Sequence, residues 1–587
     1  MQYKLYKSDN PYSDKDVIRY VLANRGIESP EAWRDANLKN NVQSWSNLDH
    51  IQEAVSRVYD AIHKEEHICV IIDPDADGYT SSSILINYLY TISSSSWVLD
   101  HITYKHHTGK QHGLSDIEIE DGVNLVICPD SASNDYEFHQ SLNDRGIDII
   151  VLDHHEAPHY SEAPHTIVVN NQLSENYLNK DFSGAGIVWQ FCRAYDDRFG
   201  YNYANNFLDL CALGNLGDMM SYTSLETKAV IEAGLKDIRN PFLTEICEAH
   251  KYSIDKKGGI NYMSMAFYVV PYINAIVRTG TTEEKDAVFR SMCLPWAFEE
   301  VESHKRGHQG EQVPQYKEGV RIADSVKYRQ TKLQNESMSA IEQKIKQENL
   351  LNHAALVVKC EPGEVESNLA GLVANKLQAK YQRPSFVLIK NRDKDDGEYH
   401  YKGSARNYSM SEEQDLRTVC ESSNLIDYAQ GHANAHGFSI KQSNLESFNS
   451  FMDDYYKEVN KEPVYWVDYI WNENQVDSQA ILTIAEMAAC WGQEIPEAKI
   501  CLEKIPLDDC DITLMSKDKN PTLKITLPNG LACIKFKSSE EEYDEFCKTN
   551  QTFTAIISCN KNEWNGTVSA QGIVETFELG VRTEWVF

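Results

Sequence analysis

The sequence predicts an α/β protein of several domains, with a parallel sheet near the front of the chain. Three observations predict it. Apolar runs of strand length recur early, and three of them stop at an acidic residue. A long stretch rich in Lys, Gln, Glu and Ala, without Gly or Pro after Gly319, follows them. Beyond it, short strand-like runs return, first alternating with a helical pattern and then without one. At 587 residues the chain exceeds the ~250–300 at which one hydrophobic core stops growing. Its 42% hydrophobic and 25% charged residues are those of a soluble globular protein.

Residues 1–60 read as mostly helical and polar, with helical periodicity over Asp14 to Arg25 and Leu48 to Ile62. Ile68-Cys69-Val70-Ile71-Ile72 is a buried-strand pattern, and Asp73-Pro74-Asp75-Ala76-Asp77-Gly78 follows it directly. A helix is predicted next, over Ser81 to Tyr90. Carboxylates therefore collect where a strand gives way to a helix, the edge at which open α/β sheets bind ligands. Acids at alternate positions repel one another unless a cation lies between them. A lone DxDxDG also occurs as a solvated acidic turn. An EF-hand loop would need a closing Glu, which is missing.

Val98 to Tyr104 reads as a second strand. It feeds the loop Lys105-His106-His107-Thr108-Gly109-Lys110-Gln111-His112-Gly113-Leu114, whose composition suits phosphate or an ordinary polar loop equally. Asn124 to Cys128 is a third strand pattern, ending at Asp130. Ile147 to Leu152 is a fourth, ending at Asp153-His154-His155. Strand followed by acid thus occurs three times, which outweighs any single motif. Asp and neutral His are ligands for Mn²⁺ and Mg²⁺-type chemistry. Thr166 to Asn170 is a further strand, and Ser183-Gly184-Ala185-Gly186 opens a helix. Leu208 to Met220 is apolar apart from Asp209, Asn215 and Asp218; a carboxylate there is costly unless paired or metal-bound, which makes Asp218 another candidate ligand.

Tyr316 to Asn352 is the long helix, able to bridge two domains. After it, Ala354 to Val358, Pro384 to Ile389 and Phe438 to Ile440 are strand-like, with a helix over Asn368 to Tyr381. Gly403-Ser404-Ala405-Arg406 puts a hydroxyl and a guanidinium in one turn, a phosphate clamp by chemistry. Gly431-His432-Ala433-Asn434-Ala435-His436-Gly437 is a tight glycine-flanked loop. From about 465 onward, Leu523 to Leu527, Leu531 to Phe536 and Phe553 to Ser558 read as short strands, and Pro528-Asn529-Gly530 as a hairpin turn.

Composition excludes some functions. No run of about 18 apolar residues exists, so no membrane span is expected; Met263 to Val277 comes nearest, and the N-terminus lacks a signal-peptide pattern. Fourteen cysteines without a CxxC pair fit reduced thiols rather than a disulfide framework or a zinc site. A net charge of −32 argues against non-specific duplex binding, which runs on Lys and Arg, but a basic channel can sit within an acidic total.

The ordered set DxDxDG, strand-end Asp, DHH, GAG and LGxxGD resembles the DHH phosphoesterase superfamily. Within it, the chain resembles RecJ-type single-strand-specific 5′→3′ DNA exonucleases nearly end to end. Arg25-Gly26-Ile27, Pro271-Tyr272-Ile273-Asn274-Ala275-Ile276-Val277-Arg278 and Tyr328-Arg329-Gln330 carry the likeness further, and the Ser404 and His432 segments resemble the DHH-associated domain. The resemblance implies an N-terminal helical segment (1–60), a DHH catalytic domain with a parallel sheet (61–315), a connecting helix (316–352), a smaller α/β DHH-associated domain (353–460) and an OB-like C-terminal β-barrel domain (465–587).

It also implies two-metal phosphodiester hydrolysis with two Mn²⁺ or Mg²⁺ ions. Asp130 would bridge them, with Asp75 on one and Asp77, His154 and Asp218 on the other; Asp73 is a further candidate ligand. His155 would stabilise charge on the phosphate, with Asp153 orienting a neighbouring His. His107, Arg278, Ser404, Arg406, Gly431 and His432 would grip the substrate. Trp491, Trp564 and Lys561 are candidates for holding a single strand in the OB-like part, where each Trp also fits a core position. The implied partners are single-stranded DNA and a single-strand-binding protein or helicase, with no membrane, in the cytoplasm of a bacterial or phage-infected cell.

The chain departs from the pattern at several points. Ile71 stands where the family's metal-binding His is usual, which weakens the first metal site. His107 stands for an Arg, and Gln111, Val277 and Gln430 each for a Gly; His436 stands for an Ala. The divergence suits a phage or mobile-element version. The alternatives are a non-catalytic replication scaffold on the same fold, or a phosphodiesterase for short oligonucleotides or cyclic dinucleotides.

Overall fold

The computed structural model describes residues 1–7, 16–107, 109, 111–393, 396–457, 462–516 and 520–581. Asp14, Lys15, Thr108 and Lys110, which belong to the N-terminal helix and the His-rich loop read from the sequence, lie outside them. The chain divides into two compact units. One is Arg25–Gln330 with Ala488–Pro496; the other is Met1–Asn24, Thr331–Met487 and Glu497–Phe587.

The first unit is built on a five-stranded parallel sheet. Its spatial order is Ile102–His106, Ile68–Ile72, Leu125–Pro129, Asp148–Asp153 and Thr166–Asn170. Every residue of the strands Ile68–Ile72 and Leu125–Pro129 is buried, as continuous β-branched and apolar runs require of strands covered on both faces. The helices Ile51–His63, Ala76–Ile92, Tyr136–Asn143 and Gly184–Phe199 pack against the sheet. From Ile68–Ile72 the chain first adds a strand on one side and then crosses to the other. The topological switch point therefore lies between the tips of Ile68–Ile72 and Leu125–Pro129, next to Asp73 and Asp130.

Residues 98–101 differ from the expected strand. They close a helix, Ser95–His101, and the strand starts only at Ile102. Ser94 caps that helix by accepting from the Trp97 N–H, a local bond that outweighs the β-branched Val98. Farther on, Gln315–Gln347 is one helix of 33 residues, carrying residues of both units.

The second unit contains two sheets of note. One has five strands in the order Tyr428–His432, Ala435–Lys441, Tyr399–Arg406, Ser385–Arg392 and Leu356–Cys360, with the helix Ala370–Tyr381 packed on it. The other is a seven-stranded mixed sheet in the C-terminal, OB-like region, with Tyr469–Trp471 and Asp511–Met515 at its edges. The N-terminal segment is not wholly helical: Gln2–Leu5 is a strand pairing in parallel with Val464–Val467. Among the described residues, no helix is long and apolar enough to cross a membrane.

Candidate metal centre

Four segments distant in sequence deliver acids and imidazoles to the tips of the central strands. Asp75 is the N-cap of the helix Ala76–Ile92 and accepts from the Gly78 N–H at 2.9 Å. Gly78 is obligatory there, since a Cβ would lie 2.4 Å from the Asp73 carbonyl oxygen. Asp130 leaves its strand with φ +70°, and Ala132 follows at +83°. Two non-glycine residues in the left-handed region cost of order 1–3 kcal/mol each, strain of a kind that clusters at functional sites. Asp218 caps the C-terminus of the helix Leu208–Gly217.

The donors converge. One oxygen or nitrogen from each of Asp73, Asp75 and Asp130 lies within 4.8 Å of the other two, and the same holds for Asp130, His154, His155 and Asp218. Asp130 belongs to both sets, as a bridging carboxylate would. His154 Nε2 is 3.1 Å from Asp130 Oδ1 and 3.1 Å from Asp218 Oδ2. Yet both Asp130 carboxylate oxygens and His154 Nε2 are buried without a hydrogen-bond partner. Buried polar atoms are rarely left so. Carboxylate oxygens and imidazole nitrogen are the donors that Mn²⁺ and Mg²⁺ take, so these residues fit a pair of divalent cations.

The electrostatics follow from crowding. Burial, then the charges of Asp218, Asp73 and Asp77, push Asp75 up to about 7. Burial and the charges of Asp77 and Asp75 push Asp130 well above the ordinary carboxylate range. Asp153 goes the other way. Burial works to raise it, but the His155 hydrogen bond and the neighbouring imidazoles win and hold it low. For His155, burial works to lower it, and the Asp153 contact wins, raising it to about 10.

Asp153 also fixes the DHH corner. Its Oδ1 accepts from the N–H groups of His154 (2.7 Å) and His155 (3.1 Å) and from His155 Nδ1 (2.8 Å); its Oδ2 accepts from the Ser133 N–H (3.1 Å). Asn170, not anticipated from the sequence, donates to the His155 carbonyl at 3.0 Å and to Ser133 Oγ at 2.9 Å, tying the next strand to the same corner.

Asp77 belongs to the same cluster: its Oδ2 lies 3.8 Å from His154 Nε2, and its charge acts on Asp130 and Asp75. Its carboxylate accepts from the N–H groups of Gly184 (2.5 Å) and Ala185 (3.1 Å), at the start of the helix Gly184–Phe199. Both oxygens accept from backbone N–H groups, which fixes the orientation of the carboxylate beside His154. Asp73, the further candidate ligand, joins Asp75 and Asp130. Ile71 is fully buried among Cys69, Leu114 and Val126, so the first strand supplies no imidazole. His107 is buried with Nε2 unpartnered, and burial holds it below the ordinary imidazole range. Arg278 reaches the surface at the end of the helix Val270–Thr279. Partial desolvation there lowers its guanidinium, while the charge of Asp75 works to raise it.

In the second unit, Gly403–Arg406 is not a turn but the end of the strand Tyr399–Arg406, and Gly431 and His432 end the strand Tyr428–His432. Arg406 pairs with Ala435, and Ala435 with His432, while Ser404 pairs with Gly437. Strand alternation therefore puts Ser404, Arg406 and His432 on one face and His436 on the other. A Cβ on Gly371, in the first turn of the helix Ala370–Tyr381, would lie 2.7 Å from Arg406 Nη2 and 3.4 Å from Ser404 Oγ. Trp491 is a core residue of the first unit, with Arg25 over its ring at 5.9 Å, rather than a stacking platform. Trp564, 74% exposed, ends one strand of the Gln551–Val581 hairpin, and Lys561 is exposed on the same strand.

The chain matches the DHH family, N-terminal domain, over residues 67–215 and the DHHA1 domain over residues 352–458. It is 34% identical over 585 residues to YorK of the SPbeta prophage of Bacillus subtilis (strain 168), named as a candidate single-strand DNA-specific exonuclease, with 99% of this chain and 98% of YorK aligned. It is 24% identical over 584 residues to the single-stranded-DNA-specific exonuclease RecJ of the same strain, covering 97% of this chain and 68% of that one. Among solved structures, RecJ of Thermus thermophilus in complex with Mn²⁺ superposes with a TM-score of 0.69 at 18% identity, over 96% of this chain and 76% of that one.

Proposed function

This chain belongs to the RecJ branch of the DHH phosphoesterase family, and we propose that it is a metal-dependent exonuclease that hydrolyses single-stranded DNA in the 5′→3′ direction. One observation carries the reading: the buried, unpartnered donor atoms of Asp130 and His154 at the sheet's switch point, flanked by Asp73, Asp75 and Asp218. Asp73, Asp75 and Asp130 would hold one Mn²⁺ or Mg²⁺ ion, and Asp130, Asp77, His154 and Asp218 the other. Such a pair supplies charge neutralisation at the phosphate and Lewis-acid activation of water.

The chain's own residues do the rest. His154 is held above its ordinary range, although burial opposes this, through Asp218, so it must give up its proton to become a ligand. His155, kept protonated by Asp153, offers a cation to charge developing on phosphate oxygens. Arg278 and His107 would contact the scissile phosphate. Ser404, Arg406 and His432, on one sheet face, would hold a backbone phosphate, with Gly431 beside His432 as a further backbone contact.

The corresponding division of labour is catalysis in 61–315, phosphate grip in 353–460 and tracking of the single strand in 465–587, with Trp564 and Lys561 as its contacts. A role in DNA recombination, repair or replication, a single-strand-binding protein or helicase as partner, and a cytoplasmic location in a bacterial or phage-infected cell complete the proposal. The test is incubation of 5′-labelled single-stranded DNA, duplex DNA and a short RNA with Mn²⁺. Loss of the single strand alone, abolished in Asp130→Ala, supports the exonuclease. Turnover of the short RNA alone, or binding without turnover, overturns it.

A further inference from the structure

The Asp73 carboxylate is fully buried, and its two oxygens are met by neighbouring residues of one loop. His112 Nδ1 lies 2.6 Å from Oδ2, and the Gly113 N–H is 3.3 Å from Oδ1. The loop is fastened on either side of this contact. Lys285 donates to the His107 carbonyl at 3.3 Å, and Asp135 accepts from the Leu114 N–H at 2.7 Å. His112 itself is open to solvent, its side chain 60% exposed. An exposed imidazole therefore reaches inward to a fully buried acid that belongs to the Asp73–Asp75–Asp130 donor set.

We propose that His112 is the positioning residue for Asp73, fixing its carboxylate so that the Asp73–Asp75–Asp130 position binds a cation tightly. With Ile71 apolar, the first strand offers no group to do this. A carboxylate ligand free to rotate must be ordered when the ion arrives; one already held by an N–H donor has lost that freedom beforehand, and such supporting partners are typically worth about 10–100-fold in metal affinity. The inference rests on the two-metal reading above.

Calorimetric titration of the full chain with Mn²⁺ tests it. Wild type is expected to bind two ions. His112→Ala is expected to bind one as before and the other about 10-fold or more weakly. His112→Asn, whose side-chain amide places a donor near the position of Nδ1, is expected to recover most of that loss. Unchanged affinity at both positions in His112→Ala overturns the proposal while leaving the two-metal reading intact; so does a loss that His112→Asn does not repair. A wild type that binds no Mn²⁺ overturns the two-metal reading itself.

Discussion

His154 Nε2 lies 3.1 Å from the Oδ2 of Asp218, a residue that caps a helix 64 positions farther along the chain. Nothing local makes this contact. The strand Asp148–Asp153 delivers one partner and the helix Leu208–Gly217 the other. Together with Asp130 they bring two carboxylates and an imidazole to one point, a donor set that suits a divalent cation.

Asp130→Asn is expected to separate activity from stability. Loss of the bridging carboxylate should lower the rate by about 10³-fold or more, several kcal/mol of transition-state stabilisation. The metal-free protein should gain stability, on the order of 1 kcal/mol, because repulsion with Asp75 and Asp77 is relieved. Nuclease assays and thermal melts in chelator check both halves.

Asp77→Asn should behave differently. The amide has one acceptor oxygen where two backbone N–H groups need accepting, so the variant should lose about 1–3 kcal/mol of stability. It should also bind one of two Mn²⁺ ions more weakly by titration, at the position shared with His154 and Asp218. Two ions bound with wild-type affinity would rule Asp77 out as a ligand.

Gly184→Ala should disturb both fold and metal. A Cβ there would lie 2.5 Å from Asp130 Oδ1 and 2.7 Å from Asp130 Cα, against a residue already at φ +70°. Destabilisation of about 1–3 kcal/mol is expected, with weakened Mn²⁺ binding. Melts with and without Mn²⁺ should show the ion rescuing the variant less than wild type.

The acid limb of stability should carry the signature of His139. Burial lowers this imidazole to about 4 from an ordinary 6.5, with the Ala132 backbone offsetting part of the shift. Because the folded pKa lies below the unfolded one, the unfolded chain binds the extra proton. The contribution is therefore complete above about pH 6.5 and is lost as pH falls toward 4, amounting to about 3 kcal/mol. His139→Leu should flatten the denaturation midpoint across that window.

The strand tips are legible in the sequence because a buried parallel strand is a continuous apolar run, and an acid at its end has no structural reason to be there. How each acid is held is not legible. DxDxDG spacing does not reveal that Asp77 is held by the Gly184 N–H, 107 residues away. His112 is hidden for the same reason, since its link to Asp73 spans 39 residues and belongs to no local period. The Ser404–Arg406 segment reads as a turn because small residues carry no strand signal. What makes it strand is the ladder to Ala435–Lys441. Trp491 cannot be told from a stacking platform until Arg25 is seen over its ring.

The most direct test is anomalous diffraction from crystals of the full chain grown with Mn²⁺. Two peaks are predicted, one among Asp73, Asp75 and Asp130 and the other among Asp77, Asp130, His154 and Asp218, sharing the Asp130 carboxylate. Peaks elsewhere, or none at Asp130 with Mn²⁺ in excess, would contradict the account.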